Sequence, residues 1–236
     1  MVSQLSKSQS LSESKPDKLG DLQTEIFYPE NDGNPMSDNT KQFRWILTIQ
    51  QNIDWLYANN PDVFVAGDLL WYPVQGNNKI AAAPDTMVVF GRPKGDRGSY
   101  KQWLEGDLAP QVVFELLSPS NSRVEMSKKL LFYSLYDVEE YYVYDPDTND
   151  LEIWIRGDRS LDSISAVHNW VSPRLGIRFD ISDELQIYRP DGTKFYSYIE
   201  ISQMLEQERD RADLAAQQLA EMAAQLQQYR DRFGDL

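Results

Sequence analysis

The spacing of apolar positions changes several times along the chain, and each change marks an element. Residues 1–37 mix Ser, Lys, Gln and Asp with Gly and Pro and show no sustained period. They read as a flexible, solvated tail followed by a loop, from Phe27-Tyr28-Pro29 through Gly33-Asn34-Pro35. From Asp38 the period becomes helical. Ile46, Ile49, Ile53, Leu56 and Tyr57 recur at helical steps until Asn59-Asn60-Pro61 ends the run.

The next apolar runs are short and strand-like: Val63-Phe64-Val65-Ala66 and Leu69-Leu70-Trp71-Tyr72, followed by a hairpin-type turn at Gln75-Gly76-Asn77-Asn78. Met87–Phe90 and Val112–Leu117 are continuous apolar stretches, the mark of strands buried on both faces. Between them Gly91–Asp107 reads as a long polar loop. A helix is expected from about Ser122 to Asp137, then strands at Glu139–Tyr144, Leu151–Ile155, Val171–Phe179 and Leu185–Tyr188, with a turn at Pro190-Asp191-Gly192.

The C-terminal stretch has another rhythm. Ala212, Ala215, Leu219, Met222, Leu226, Tyr229 and Phe233 alternate steps of three and four, a heptad seam among Gln, Glu and Arg. Such a seam suits a coiled-coil-like helix that pairs with a partner, a second copy of the chain above all; a long helix folded back on its own domain is the rival. Strands in succession, then a helix, then more strands imply an α/β (α+β) core with a mixed sheet. The expected division is a tail and loop over 1–37, a domain over 38–199 and a heptad helix over 200–236.

Composition narrows the chemistry. At 41% apolar and 25% charged, 236 residues make an ordinary globular chain. The absence of cysteine excludes disulfides, thiol nucleophiles and cysteine-ligated metals, and a lone histidine, His168, excludes a site built on several imidazoles. A net charge of −14 opposes nucleic-acid binding through an overall positive field. The segment 38–199 keeps 16 basic against 23 acidic side chains, so the termini are not the reason. Apolar runs such as Met87–Phe90 fall far short of a bilayer span, and residues 1–20 hold no signal-like apolar region. A cytoplasmic protein without membrane contact is the expectation.

Two acids stand on neighbouring buried strands. Asp85 follows Pro84 and precedes Thr86–Phe90; Glu115 lies inside Val112–Leu117. A carboxylate in so apolar a strand is costly to desolvate unless a cation or a donor meets it. Two of them side by side suit a hard divalent ion, Mg²⁺ or Mn²⁺. The plainer alternative is an edge-strand Glu and a turn Asp. After the turn Ser118-Pro119-Ser120-Asn121, the expected helix carries Glu125, Lys129 and Tyr133 on one face. Lys129 beside two carboxylates suits charge stabilisation on a phosphate; a surface Glu125–Lys129 pair is the alternative.

Taken in order, Pro84-Asp85, Val113-Phe114-Glu115-Leu116-Leu117-Ser118-Pro119-Ser120, Lys129 with Tyr133, and Val138-Glu139-Glu140-Tyr141-Tyr142-Val143-Tyr144-Asp145-Pro146 resemble the Uma-type putative restriction endonuclease family of the PD-(D/E)xK nuclease superfamily. The resemblance runs from about Tyr28 to Tyr198 and includes Val65-Ala66-Gly67-Asp68 and Ser172-Pro173-Arg174-Leu175-Gly176. It implies a restriction-endonuclease-like fold, a mixed central sheet flanked by helices, and a Mg²⁺- or Mn²⁺-dependent endonuclease acting on nucleic acid, DNA first. Asp85 and Glu115, with the backbone carbonyl of Leu116, would hold the metal, and Asp85, Glu115 and Lys129 would be catalytic. The superfamily's usual lysine position, two after the acid, is Leu117 here, and Lys129 on the following helix is the match, with Lys128 as the alternative. A position near the first helix that often holds His reads as Gln42. The loop residues Arg92, Lys94, Arg97 and Lys101, interleaved with Tyr100 and Trp103, are the candidate nucleic-acid contacts. Tyr133, Glu140 and Tyr141 are expected to order the helix and the next strand, and His168 to be structural. A catalytically silent scaffold that binds partners through its last helix is the competing function.

Overall fold

The computed structural model describes residues 26–30 and 39–234. Most of the expected N-terminal tail and loop therefore lies outside the described residues. The part that is described docks on the body: Tyr28 packs its ring 5.2 Å from that of Tyr72 and 4.9 Å from that of Trp103, and Tyr72 donates to the Pro29 carbonyl at 2.7 Å.

Helix α1 (Thr40–Leu56) opens on Asn39, whose side chain accepts from the backbone N–H groups of Lys41 and Gln42. Its buried stripe is Ile46, Ile49 and Ile53, as the period requires. There follow β1 (Val63–Ala66), β2 (Trp71–Tyr72), β3 (Thr86–Phe90), β4 (Tyr100–Lys101), β5 (Val112–Leu116), helix α2 (Arg123–Leu135), β6 (Glu140–Asp145), β7 (Asp150–Arg156), β8 (Leu161–Ile164), β9 (Trp170–Val171), β10 (Arg178–Asp180), β11 (Gln186–Tyr188) and helix α3 (Tyr198–Phe233).

The central sheet runs β1-β3-β5-β6-β7-β8. It is antiparallel except between β5 and β6, which lie parallel because α2 carries the chain back between them. This is the mixed α/β core that the sequence led us to expect. One face of the sheet packs α1 and the small β9–β11 sheet, through Ile49, Ile53, Ile177, Phe179 and Ile187. The other packs α2 and the paired β2 and β4, through Trp71, Tyr100, Tyr133 and Tyr141. Covered on both sides, β5 is buried along its whole length, hence a sequence that is apolar but for Glu115.

Several elements depart from expectation. Leu69 and Leu70 stay outside β2. The loop Gly91–Asp107 contains β4 and a 3-10 turn at Gln102–Leu104, because the Tyr100 ring is drawn fully inside and its hydroxyl donates to the Leu108 carbonyl at 2.7 Å. The single strand expected over Val171–Phe179 is two strands, β9 and β10, folded on each other. Pro173 cannot extend a ladder, and Gly176 turns the chain at φ +66°, where a side chain is disfavoured. Strand β8 was not anticipated: at the sheet's edge it keeps only Leu161 buried, so no apolar run announces it.

Helix α3 opens with a capping box, Ser197 with Glu200. No residue of it is buried, and the seam residues Leu219, Met222, Leu226, Tyr229 and Phe233 are 61–72% exposed. The fold-back alternative is therefore not the arrangement this chain adopts. No helix among the described residues is long and apolar enough to cross a membrane.

Candidate active site

The site forms where β3 stops pairing with β5. The last rung of that ladder is Thr86 opposite Phe114. Continuing the same register sets Asp85 across from Glu115, on the α2 side of the sheet with Met87 and Val113. With no strand residue left to take the outer edge of β5, side chains do so. The Leu116 N–H donates to Asp85 Oδ2 at 2.6 Å, and the Leu116 carbonyl accepts from Gln42 Nε2 at 2.7 Å. Gln42 reaches it from the first turn of α1, which Asn39 caps.

Glu115 is 2% exposed. Its burial is made tolerable by α2, which Ser122 starts by accepting from the Glu125 N–H at 3.1 Å. Further along that helix, Lys129 Nζ donates to Glu115 Oε2 at 2.7 Å and the Tyr133 hydroxyl donates to Oε1 at 2.5 Å. Lys129 thus belongs to the buried acid and not to a surface pair with Glu125, whose carboxylate instead accepts from Asn121 at 3.3 Å. Burial pulls the Lys129 ammonium down, but Glu115, then Asp85 and Glu125, outweigh it and hold its pKa above the ordinary lysine value. Tyr133 is wholly buried beside Glu115, and both effects raise its pKa well above the usual phenol value. The Asp85 charge is a smaller contributor in the same upward direction at Lys129, Tyr133 and Tyr141.

Asp85, Glu115 and Lys129, distant in sequence, therefore lie in one neighbourhood. Gln42 and Tyr133 complete it. Tyr133 was expected only to order the helix; its place four residues after Lys129 is the sequence signal that it shares that helix face. Nothing in the sequence alone shows that Gln42 would meet the end of β5.

A hard cation fits the donor set. Among the described residues no three His, Cys, Asp or Glu side chains cluster as a metal site; the site has two carboxylates, and its other donors are amide oxygens. Gln42 Oε1 is buried and has no hydrogen-bond partner among the described residues, since Nε2 is committed to the Leu116 carbonyl. An acceptor in that state suits a positive ligand. The Leu116 carbonyl, expected to bind metal, already accepts one hydrogen bond and retains its second lone pair.

The other candidates lie elsewhere. Arg97 is bound to Glu105 at 2.8 Å and lies 3.9 Å over the Phe64 ring; Lys94 pairs with Asp54 at 2.8 Å. Arg92 donates to its neighbour's carbonyl at 2.5 Å, and Lys101 lies 5.6 Å from the Tyr28 ring. Buried Glu140 accepts from Tyr142 at 2.7 Å, Ser172 at 2.5 Å and the Arg174 N–H at 2.6 Å, stapling the β9–β10 turn to β6. Tyr141 is buried with its hydroxyl unpartnered among the described residues, and burial raises its pKa. His168 sits on the surface 3.5 Å from Asp180.

Comparison with known proteins adds the following. A family model described as Uma2, putative restriction endonuclease, matches residues 34–185. A solved structure, a putative nuclease from Anabaena variabilis, is 15% identical over 63% of this chain and 82% of that one, with a TM-score of 0.47. No curated protein matches.

Proposed function

From the premise that the chain belongs to the Uma2 putative restriction endonuclease family, we propose that it is a divalent-metal-dependent endonuclease hydrolysing phosphodiester bonds, with DNA as substrate. The observation that carries this reading is the buried Glu115 carboxylate, bound by Lys129 at 2.7 Å and set beside Asp85 where β3 ends. The Asp85 carboxylate at the end of β5 and the buried Gln42 Oε1, without a partner among the described residues, support it.

Asp85, Glu115, the Leu116 carbonyl and Gln42 Oε1 would hold Mg²⁺ or Mn²⁺. When bound, such an ion lowers the pKa of a coordinated water and offsets charge on the scissile phosphate. Asp85 also fixes the end of β5 through the Leu116 N–H, so it orients Glu115 as well as supplying charge. Lys129, held charged by its neighbours, is a donor and not a base; its part is to stabilise the negative charge that builds on the phosphate as water's oxygen bonds to phosphorus and the ester bond breaks. The four loop cations are proposed as outer backbone contacts, reached from their present partners. Two copies are proposed to join through the exposed α3 seam.

Cleavage of plasmid DNA with Mg²⁺, Mn²⁺ or EDTA tests the reading, with Asp85→Asn as the inactive control. The silent-scaffold alternative draws on the exposed α3 seam and the acidic surface; a protein that neither binds metal nor cuts would favour it.

A further inference from the structure

Both oxygens of Glu115 are taken by α2, and the second donor is built with more support than the first. The Tyr133 hydroxyl meets Oε1 at 2.5 Å from a ring with no solvent exposure. That ring lies parallel to the Trp71 indole, centroids 6.3 Å apart and planes within 2°, and packs edge-on against Phe132 at 5.7 Å and tilted on Tyr141 at 4.9 Å. Trp71 is itself fixed. Its indole N–H donates to Gln102 Oε1 at 3.0 Å, and its backbone pairs with Tyr100 and Ala82. The small β2–β4 sheet thus forms a wall behind one phenol.

Rotation about the last bond of a glutamate side chain is broad and nearly two-fold, so a single donor leaves the carboxylate plane loosely set. Lys129 alone is such a donor, on a flexible stem and a quarter exposed. A second donor on the other oxygen, from a ring that cannot swing, removes that freedom.

We propose that Tyr133 is a positioning residue: its hydroxyl, backed by Trp71 and Gln102, sets the carboxylate plane in which Glu115 meets a divalent cation. This rests on the metal-dependent reading above.

The test is Mn²⁺ binding to the full chain by calorimetry, for wild type and Tyr133→Phe, with plasmid cleavage measured alongside. Removing an orienting partner of a metal ligand is expected to weaken binding by about tenfold while far-ultraviolet circular dichroism stays unchanged. Incorporating 3-fluorotyrosine at position 133, which keeps ring and hydroxyl, is expected to bind within about twofold of wild type. Should Tyr133→Phe not fold, the fluorinated protein still decides, because its more acidic phenol makes a stronger donor and should tighten or preserve binding; binding weakened tenfold there overturns the inference. A wild type that binds and cuts, beside a Tyr133→Phe protein with equal affinity and rate, overturns the inference alone. A wild type that neither binds Mn²⁺ nor cuts overturns the nuclease reading, and this one with it.

Discussion

Lys129 Nζ lies 2.7 Å from Glu115 Oε2, joining a residue of α2 to one in the middle layer of the sheet. The acid is 2% exposed and its partner a quarter exposed, so the pair is neither a surface ion pair nor fully dry. Removing Lys129 leaves a buried carboxylate with Tyr133 as its remaining side-chain donor. Lys129→Met is expected to destabilise the fold by about 2 kcal/mol, read from denaturant midpoints, and to abolish cleavage. In the Glu115→Gln background the same change should cost about 1 kcal/mol less, because no stranded charge remains.

The pH dependence of Lys129 has a definite sign. Its pKa in the folded chain is raised, so its stabilising contribution is complete below the unfolded value of about 10.4 and is lost as pH climbs through the raised one. Between about pH 6 and pH 9 it adds no slope. Thermal melts across that range should show the same slope for wild type and Lys129→Arg. A limb in the cleavage profile that moves in Lys129→Arg would mean that Lys129 loses its proton in the working range.

Glu140 separates structure from chemistry. It accepts from Tyr142, Ser172 and the Arg174 backbone, away from the metal donors. Glu140→Ala strands those three donors and is expected to cost about 3 kcal/mol. Mn²⁺ affinity below the melting transition should stay within about twofold of wild type.

The C-terminal helix is expected to be dispensable to the body. Since none of its residues is buried, ending the chain after Ser202 should move the melting temperature by no more than about 2 °C. Light scattering should show the molar mass falling from that of two full chains to that of one shortened chain; an unchanged monomeric mass before and after would remove the seam from the account.

What the sequence made legible follows from burial. The strands β3, β5 and β6 are covered on both faces, so Met87–Phe90 and, apart from Glu115, Val112–Leu117 had to be apolar, and they gave themselves away. Glu115 stood out for the same reason, as the one charge in such a run. Edge and cap elements carry no such signature: β8 has one buried residue, and β4 is a two-residue strand defined by where Tyr100 tucks in. The turn at Ser172–Gly176 was hidden because Leu175 and Ile177 look like strand positions until Glu140 is seen to hold the turn. Within the candidate site, the sequence singled out Asp85, Glu115 and Lys129, and the structure brings them together. The resemblance marked the position of Gln42 but not its contact, which depends on the first turn of α1 lying beside the Leu116 carbonyl, 74 residues away in sequence.

The most direct test of the metal-dependent nuclease is plasmid cleavage by wild type and Asp85→Asn. The substitution removes one metal-binding charge yet keeps an oxygen for the Leu116 N–H, so the end of β5 stays held. Wild type should cut in Mg²⁺ or Mn²⁺ and stop in EDTA, while Asp85→Asn, folded to the same melting temperature within about 3 °C, should not cut. Wild-type protein inert toward DNA and RNA in every divalent metal, or Asp85→Asn cutting at the wild-type rate, would contradict it.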